Sequence, residues 1–567
     1  MILKKIKSPI PFDMNFRMRY WWSGVFIVAI FVYLYSLDGL YVPHIGDEAP
    51  YIEIVRLTAE NGKWLPLKTV EGLENTKPPM LFWQGILSTN WAREWSLFRL
   101  RFPIIFYTFL TTGLVFLLAS KISGNRESGY LGALSYLGFY TTFLYGRPFL
   151  TNLPETFFVF LPFFLIIYFR DRIETWGIPF WLLVGLSIGV ACLYKSFVLV
   201  VPVGFALSWL LLVKRDWELK TFIKKDLYKV IIVLLLSLIC FSLWPLLDPD
   251  PKSIFEHFIV GENLGKFRKG NYIVEMFTGP SAIYRIWLGN VTNAGLLALP
   301  VIYIIIISFR HRARLSTEEK ALWILIFSFI IVYTAPGQRS GSYILPTMPA
   351  VAVLLGVRWM EIKSRWFFLF NIPVILILLL LTMLILATAY QALPTKSYQS
   401  WQVIFPLLAL LLGAGSFLIN RISPYTFHLL IFLIFGSLAC ALAPFHGPLG
   451  RYNADTVTAL KGRTVYIPSN FRSVYELHRF ILPGARTYGY NPSDKGRMDE
   501  LLQSGEIVAV NRPLGQPIVG PYRVFGKRLD LKSRHPKDEI FKIVFQQQLD
   551  LLIQQEIIVQ RLEEMSK

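Results

Sequence analysis

Apolar runs of about twenty residues, the length that carries an α-helix across a bilayer, recur from Trp21 to about Phe445 and then stop. No soluble core absorbs so many of them, and the chain therefore reads as an all-α polytopic membrane protein followed by a polar tail. Composition agrees: 54% of the 567 residues are hydrophobic, 16% are aromatic and the mean hydropathy is +0.48, above what a globular protein carries. About thirteen spans are predicted, at roughly 20–38, 101–120, 128–146, 152–169, 178–194, 197–213, 230–247, 283–308, 321–335, 343–357, 365–389, 401–419 and 425–445. Two domains follow: residues 1–445 in the membrane, and residues 446–567, of small-domain size.

The net charge of +20 raises the question of nucleic acid, but the basic residues lie in short loops between apolar runs and form no basic, aromatic-studded face. Topology accounts for them. Lys4, Lys5, Lys7, Arg17 and Arg19 precede the first span, and every second loop thereafter is again basic, as in Arg170 and Arg172, Lys214 to Lys229, and Arg310 to Arg314. The positive-inside rule makes these loops cytoplasmic. An odd number of spans then puts the tail on the extracytoplasmic side, where its short β-rich runs and a predicted long helix over 537–563 suggest a small α/β or α+β domain. The first apolar run lacks a cleavage site and reads as a retained anchor. Cys192, Cys240 and Cys440 all fall inside predicted spans, so no disulfide framework or thiolate metal site is expected.

Two extracytoplasmic loops, 39–100 and 248–282, are much longer than the rest, and function concentrates in long loops on a rigid scaffold. In the first, "GDEAPYIEIVRLTAENG" predicts a helix over 48–60, with Asp47 as N-cap, Pro50 in the first turn and Gly62 beyond the end. Residues 90–101, "NWAREWSLFRLR", have the pattern of a helix lying in the membrane interface.

Charges at a membrane edge are costly and mark functional candidates. Sorted by predicted side, Asp47, Glu48, Lys77, Arg147, Glu155, Lys195, Glu262, Lys266 and Arg339 share the extracytoplasmic face. Carboxylates beside cations suit a reaction in which a hydroxyl or amine loses a proton while a lipid phosphate leaves. Structural readings stand beside this one: Asp47 and Glu155 as helix caps, Lys77 as a snorkelling lysine, Lys195 and Arg339 as interface anchors.

Five stretches, "GDEAPYIEIVRL", "TKPPMLFW", "GRPFLTNLPETFF", "LYKSFVLVVP" and "GQRSGSYILPTMPAVAVL", occur in an order that resembles the GT-C superfamily of polyprenyl-phosphate-sugar glycosyltransferases. The likeness is to the branch of lipid A aminoarabinose transferases and protein O-mannosyltransferases, and it covers about 20–360. It implies Asp47 as the catalytic carboxylate and Lys77, Arg339 and Tyr343 near the donor phosphate; Glu155 or Glu48 is expected to assist Asp47, and Lys195, which matches a motif lysine, and Lys266, which stands for the usual Arg, are expected to hold the phosphate as well. Aminoarabinose transferases carry a Glu and a His that bind zinc, where this chain resembles them with Thr76 and Asn263. Threonine and an amide are poor zinc ligands, so no metal cofactor is expected, apart from a weaker ion that Glu74 could keep. The usual acid of the fourth-span segment is Asn152 here, with Glu155 one helical turn on.

The expected function is an inverting transfer of one sugar from a polyprenyl-phosphate carrier to an extracytoplasmic acceptor at a bacterial inner membrane. Lipid A or lipopolysaccharide, a protein hydroxyl and a surface polysaccharide stay open as acceptors. The rival reading is a lipid-linked-sugar flippase or transporter, for which internal repeats and midplane polar residues are the usual signs; neither is evident in this sequence.

Overall fold

The computed structural model describes residues 12–40, 47–69, 77–263, 265, 272–279, 281–393, 397–418, 423–469, 473–532, 535–546 and 548–562. Helix occurs at each position predicted for a span. Among the described residues, nine helices are long and apolar enough to cross a membrane, and Met18–Leu34 and Asn152–Tyr168 are shorter apolar helices. The chain is thus a multi-pass membrane protein, and its helices establish fewer crossings by length and composition than the thirteen predicted. The difference is instructive at 128–146, where Arg126–Gly138 and Tyr140–Tyr145 are separate helices broken at Phe139, whose ψ is 133°.

Local sequence explains the helix ends. Ser316 and Glu319 form a reciprocal capping box at the start of Thr317–Thr334, and Ser96 caps Leu97–Ser123, which stops at Gly124 with a φ of 72°. Gly356 allows helix Met348–Arg358 to press against Arg126–Gly138, since a Cβ there would lie 2.4 Å from the Ser128 carbonyl oxygen. The expected interfacial helix over 90–101 is not formed. Asn90, Trp91 and Ala92 have φ values of 49°, 56° and 58°, a left-handed run that no α-helix contains, and helix begins only at Leu97.

Beyond His446 the chain builds a five-stranded mixed sheet from β1 (Thr464–Pro468), β2 (Arg486–Tyr490), β3 (Ile507–Pro513), β4 (Tyr522–Leu531) and β5 (Ile553–Arg561), in the order β2-β1-β3-β5-β4. β1 runs parallel to β2 and β3, whereas β5 pairs antiparallel with β3 and β4. The predicted helix over 537–563 is corrected: helix covers only Lys537–Phe545, and "IQQEIIVQR" is strand β5. Its β-branched residues fill the slot between two partners, and that burial overrides the helix-like pattern. At its centre the Glu556 carboxylate accepts hydrogen bonds from Tyr452 Oη (2.6 Å) and Arg528 Nε (2.7 Å), and pairs with His478 Nε2 at 3.0 Å. Burial alone would raise this carboxyl, but Arg528 and His478 outweigh it and hold Glu556 well below the usual carboxylate range.

Candidate active site

Asp47 immediately precedes helix Glu48–Glu60, as predicted, but its backbone is already helical (φ −87°, ψ −7°) and its side chain accepts no capping hydrogen bond. The carboxylate instead lines a cavity of about 470 Å³. Successive helical residues point about 100° apart, and Glu48, the next residue, turns the opposite way. It is fully buried, with Oε1 2.7 Å from Arg101 Nε, Oε2 2.7 Å from Arg101 Nη2, and the Phe149 amide donating to Oε1 at 2.7 Å. The expectation that Glu48 assists the chemistry is therefore corrected: it locks the first loop to the bundle and does not line the cavity.

Five separate parts of the chain converge on the cavity. The loop helix brings Asp47 and Tyr51, and the segment after it brings Lys77. Glu155 comes from the first turn of Asn152–Tyr168 and Lys195 from the end of Ile173–Tyr194. The second long loop adds Glu262 and Asn263, and Tyr343 comes from the turn preceding Met348–Arg358. Lys195 Nζ donates to Glu155 Oε2 at 2.7 Å, and Lys77 is ion-paired with Glu262. Of the residues predicted for the site, Asp47, Lys77, Glu155, Lys195 and Tyr343 meet in this one space.

Glu48 and Arg339 do not. Arg339 is 2% exposed and absent from the cavity wall; it donates to the Thr334 and Ser281 carbonyls at 2.8 and 3.0 Å and lies 5.2 Å from the Tyr272 ring centroid. It staples two segments together, which corrects its expected place at the phosphate. Arg147, grouped with the surface charges, is likewise buried and donates to the Tyr33 and Tyr35 carbonyls. Lys266 lies outside the described residues, next to Gly265, which does line the cavity; Thr76 and Glu74 are also outside them.

Asn263 does reach the cavity, with both ends of its amide engaged: Ser196 Oγ donates to Oδ1 at 2.7 Å, and Nδ2 donates to the Phe258 carbonyl at 2.8 Å. Among the described residues no group of three His, Cys, Asp or Glu side chains is close enough to hold a metal. No step below is routed through a metal.

Sequence reasoning missed Tyr51, whose hydroxyl is an uncharged donor beside two acids. Burial, then the Asp47 and Glu262 charges, push its phenol above the ordinary range. The signal was present: Tyr51 stands four residues after Asp47, one turn along the same helix face. The C-terminal domain also bears on the site. Its Glu476 receives Arg56 of the loop helix in a two-pronged pair (2.6 and 3.0 Å), Tyr475 donates to Glu53, and Phe480 stacks on Trp95 at 5.7 Å.

A many-helix membrane bundle, roofed at one end by two long loops over a cavity of acids and lysines, with a soluble domain gripping the first loop, defines a class of membrane protein. Comparison with known proteins narrows it. Residues 76–244 match the family described as dolichyl-phosphate-mannose-protein mannosyltransferase. The chain is 24% identical over 344 residues to the undecaprenyl phosphate-alpha-4-amino-4-deoxy-L-arabinose arabinosyl transferase of Pseudomonas savastanoi, covering 59% of this chain and 60% of that one. It is 31% identical over 208 residues to the enzyme of the same name from Yersinia enterocolitica, covering 35% and 37%. The matches thus span less than two thirds of these relatives' length, 60% of one and 37% of the other. In fold, the chain is similar to ArnT from Cupriavidus metallidurans in its structure with undecaprenyl phosphate, at a TM-score of 0.63 and 14% identity, over 97% of this chain and 99% of that one. The apo structure of ArnT gives 0.62. These likenesses agree with the GT-C resemblance carried by the sequence motifs.

Proposed function

We propose that this chain is an inverting glycosyltransferase that moves one sugar from a polyprenyl-phosphate carrier to an acceptor outside the cytoplasmic membrane of a bacterium, with lipid A or another lipopolysaccharide component as the acceptor. In this reading the bundle crosses the membrane about thirteen times, the N-terminus is cytoplasmic, and the cavity and the C-terminal domain face outward. The observation that carries it is the meeting of an uncapped carboxylate, Asp47, with Lys77 and Lys195 in one cavity at the bundle's end. The names of the relatives support the donor class.

The acceptor oxygen or nitrogen attacks the anomeric carbon from the face opposite the phosphate. Its proton passes to Asp47, the bond from the anomeric carbon to the phosphate oxygen breaks, and the electron pair leaves with the phosphate. Lys77 and Lys195 stabilise the growing phosphate charge, while Tyr51 and Tyr343 donate hydrogen bonds. Glu155 holds Lys195 in place between turnovers and acts as a positioning residue. The described wall sets two lysines against Asp47, Glu155 and Glu262, so its balance is negative. An anionic donor needs more positive charge than that, and Lys266, which lies outside the described residues but next in sequence to the wall residue Gly265, is the residue assigned to it here. The proposal needs no resident zinc.

The test uses the purified chain in lipid nanodiscs with polyprenyl-phosphate-linked sugars. Release of free polyprenyl phosphate that depends on added acceptor, and survives a zinc chelator, is the expected result. In sealed proteoliposomes, movement of the intact lipid-linked sugar across the membrane, driven by an ion gradient and leaving no new glycoside, would establish the flippase reading instead.

A further inference from the structure

The helices that build the catalytic cavity enclose a second one at their other ends. Its volume is about 370 Å³, and its wall includes Ile166, Trp181, Leu210, Leu211 and Ile324. Ile173–Tyr194, which contributes to both cavities, is broken at Gly177 (φ 58°, ψ −148°), and the uninterrupted helix over 178–194 runs about 25 Å at ~1.5 Å per residue, most of the hydrocarbon thickness of a bilayer. The second cavity therefore sits at the opposite membrane boundary, at the end that the basic loops assign to the cytoplasm. Trp217, 64% exposed at the turn after Phe197–Lys214, marks the same interface.

The rim of this cavity is cationic. Arg170, Lys214, Lys229 and Lys320 line it against only two acids, Asp216 and Glu318. Lys229 is buried, held by Asp226 at 2.5 Å with its ammonium 5.6 Å from the Trp181 ring centroid, so one charge is fixed deep beside the apolar wall. The pairs made by Arg170 (to Glu318, 3.0 Å) and Lys214 (to Glu174, 2.9 Å) are open to solvent, with only Glu318 half-buried, and separate at little cost. Lys320 is exposed and makes no ion pair among the described residues. A rim of cations over an apolar wall at a membrane boundary matches one amphiphile: a phosphate group with acyl chains below it. The anionic lipids of the inner leaflet present that chemistry where the cavity opens.

We propose that this second cavity binds an anionic glycerophospholipid, its phosphate among Lys214, Lys229 and Lys320 and an acyl chain along Leu210, Leu211 and Ile324. The site is separate from the catalytic one and does not rest on the transferase reading. By joining the cytoplasmic ends of helices whose outer ends carry Glu155 and Lys195, the lipid steadies the bundle on which the catalytic cavity is built.

Native mass spectrometry of the full chain, released from nanodiscs of equal phosphatidylglycerol and phosphatidylcholine, tests this. The parent retains phosphatidylglycerol in preference to phosphatidylcholine. The double variant Lys214→Gln/Lys320→Gln loses about thirtyfold in that preference, on the order of fivefold for each lysine near an anionic lipid surface. Lys320→Gln alone, on an exposed helix position, provides the same reading at smaller size if the double variant does not fold. Millimolar inorganic phosphate leaves the retained lipid in place. Equal retention of the two lipids by the parent, an undiminished preference in the variants, or displacement by inorganic phosphate would each overturn the proposal.

Discussion

Asp47 and Glu48 stand side by side, and the structure gives them opposite tasks, so the substitution Glu48→Gln separates them. Glu48 and Arg101 are both fully buried and joined by two contacts of 2.7 Å; Arg101 is further tied to the Leu37 and Gly39 carbonyls, each at 2.7 Å. Removing one partner of a buried ion pair costs about 3–5 kcal/mol. Glutamine keeps one oxygen for the Phe149 amide but turns an amide donor toward a guanidinium donor, which places the loss near 3 kcal/mol, about a hundredfold in the folding equilibrium. The measurement is thermal unfolding of the purified chain in nanodiscs, with transfer assayed per folded molecule below the transition. Glu48→Gln is expected to unfold markedly earlier yet to transfer at a rate within about tenfold of the parent, as for a side chain outside the reacting shell. The double variant Glu48→Gln/Arg101→Gln is expected to lose about 2 kcal/mol less than the sum of the singles, as contacting residues do. A Glu48→Gln protein as stable as the parent but inactive would refute this reasoning and return Glu48 to the chemistry.

Lys195→Met is expected to cut transfer by about 10²-fold through the lost charge at the leaving phosphate, and Lys195→Arg to restore part of it; equal losses in the two would show that shape, not charge, matters. Arg56→Gln, which breaks the two-pronged pair with Glu476, is expected to cost about 2 kcal/mol of domain docking, read as faster proteolysis of the C-terminal domain together with a lower kcat. In that domain, Glu556→Gln leaves Arg528 facing a neutral partner in a buried site and is expected to destabilise the sheet by about 3 kcal/mol. Because the Glu556 carboxyl lies below its unfolded value, its stabilising contribution is complete above about pH 4.3 and is lost progressively as pH falls from there through the lower native value. An acid titration of the sheet's circular dichroism is therefore expected to break well below pH 4.3 in the parent, and to lose that late step in Glu556→Gln.

Legibility in the sequence followed the range of the interactions involved. The helix 48–60 was readable because its signals lie within a few residues of each other, and the shared side of Asp47, Lys77, Glu155 and Lys195 was readable because charge alternation reports topology. Sidedness does not tell a cavity wall from a staple. Glu48, Arg147 and Arg339 carry the same charges on the same predicted face, and only the approach of Arg101, of the Tyr33 carbonyl and of the Thr334 carbonyl turns each of them inward. Strand β5 was unreadable for a related reason. Its strand character comes from partners at least 41 residues upstream in β3 and 22 in β4, such as Pro513 opposite Gln554 and Leu531 opposite Ile553, and no local pattern records them.

The central claim is that Asp47 receives the acceptor proton, and Asp47→Asn in nanodiscs, supplied with a polyprenyl-phosphate-linked sugar and acceptor, tests it most directly. Transfer is expected to fall about 10³-fold, within the range for loss of a general base, with the unfolding temperature and the donor's dissociation constant unchanged. An Asp47→Asn protein that folds normally and transfers at the parent's rate would contradict it.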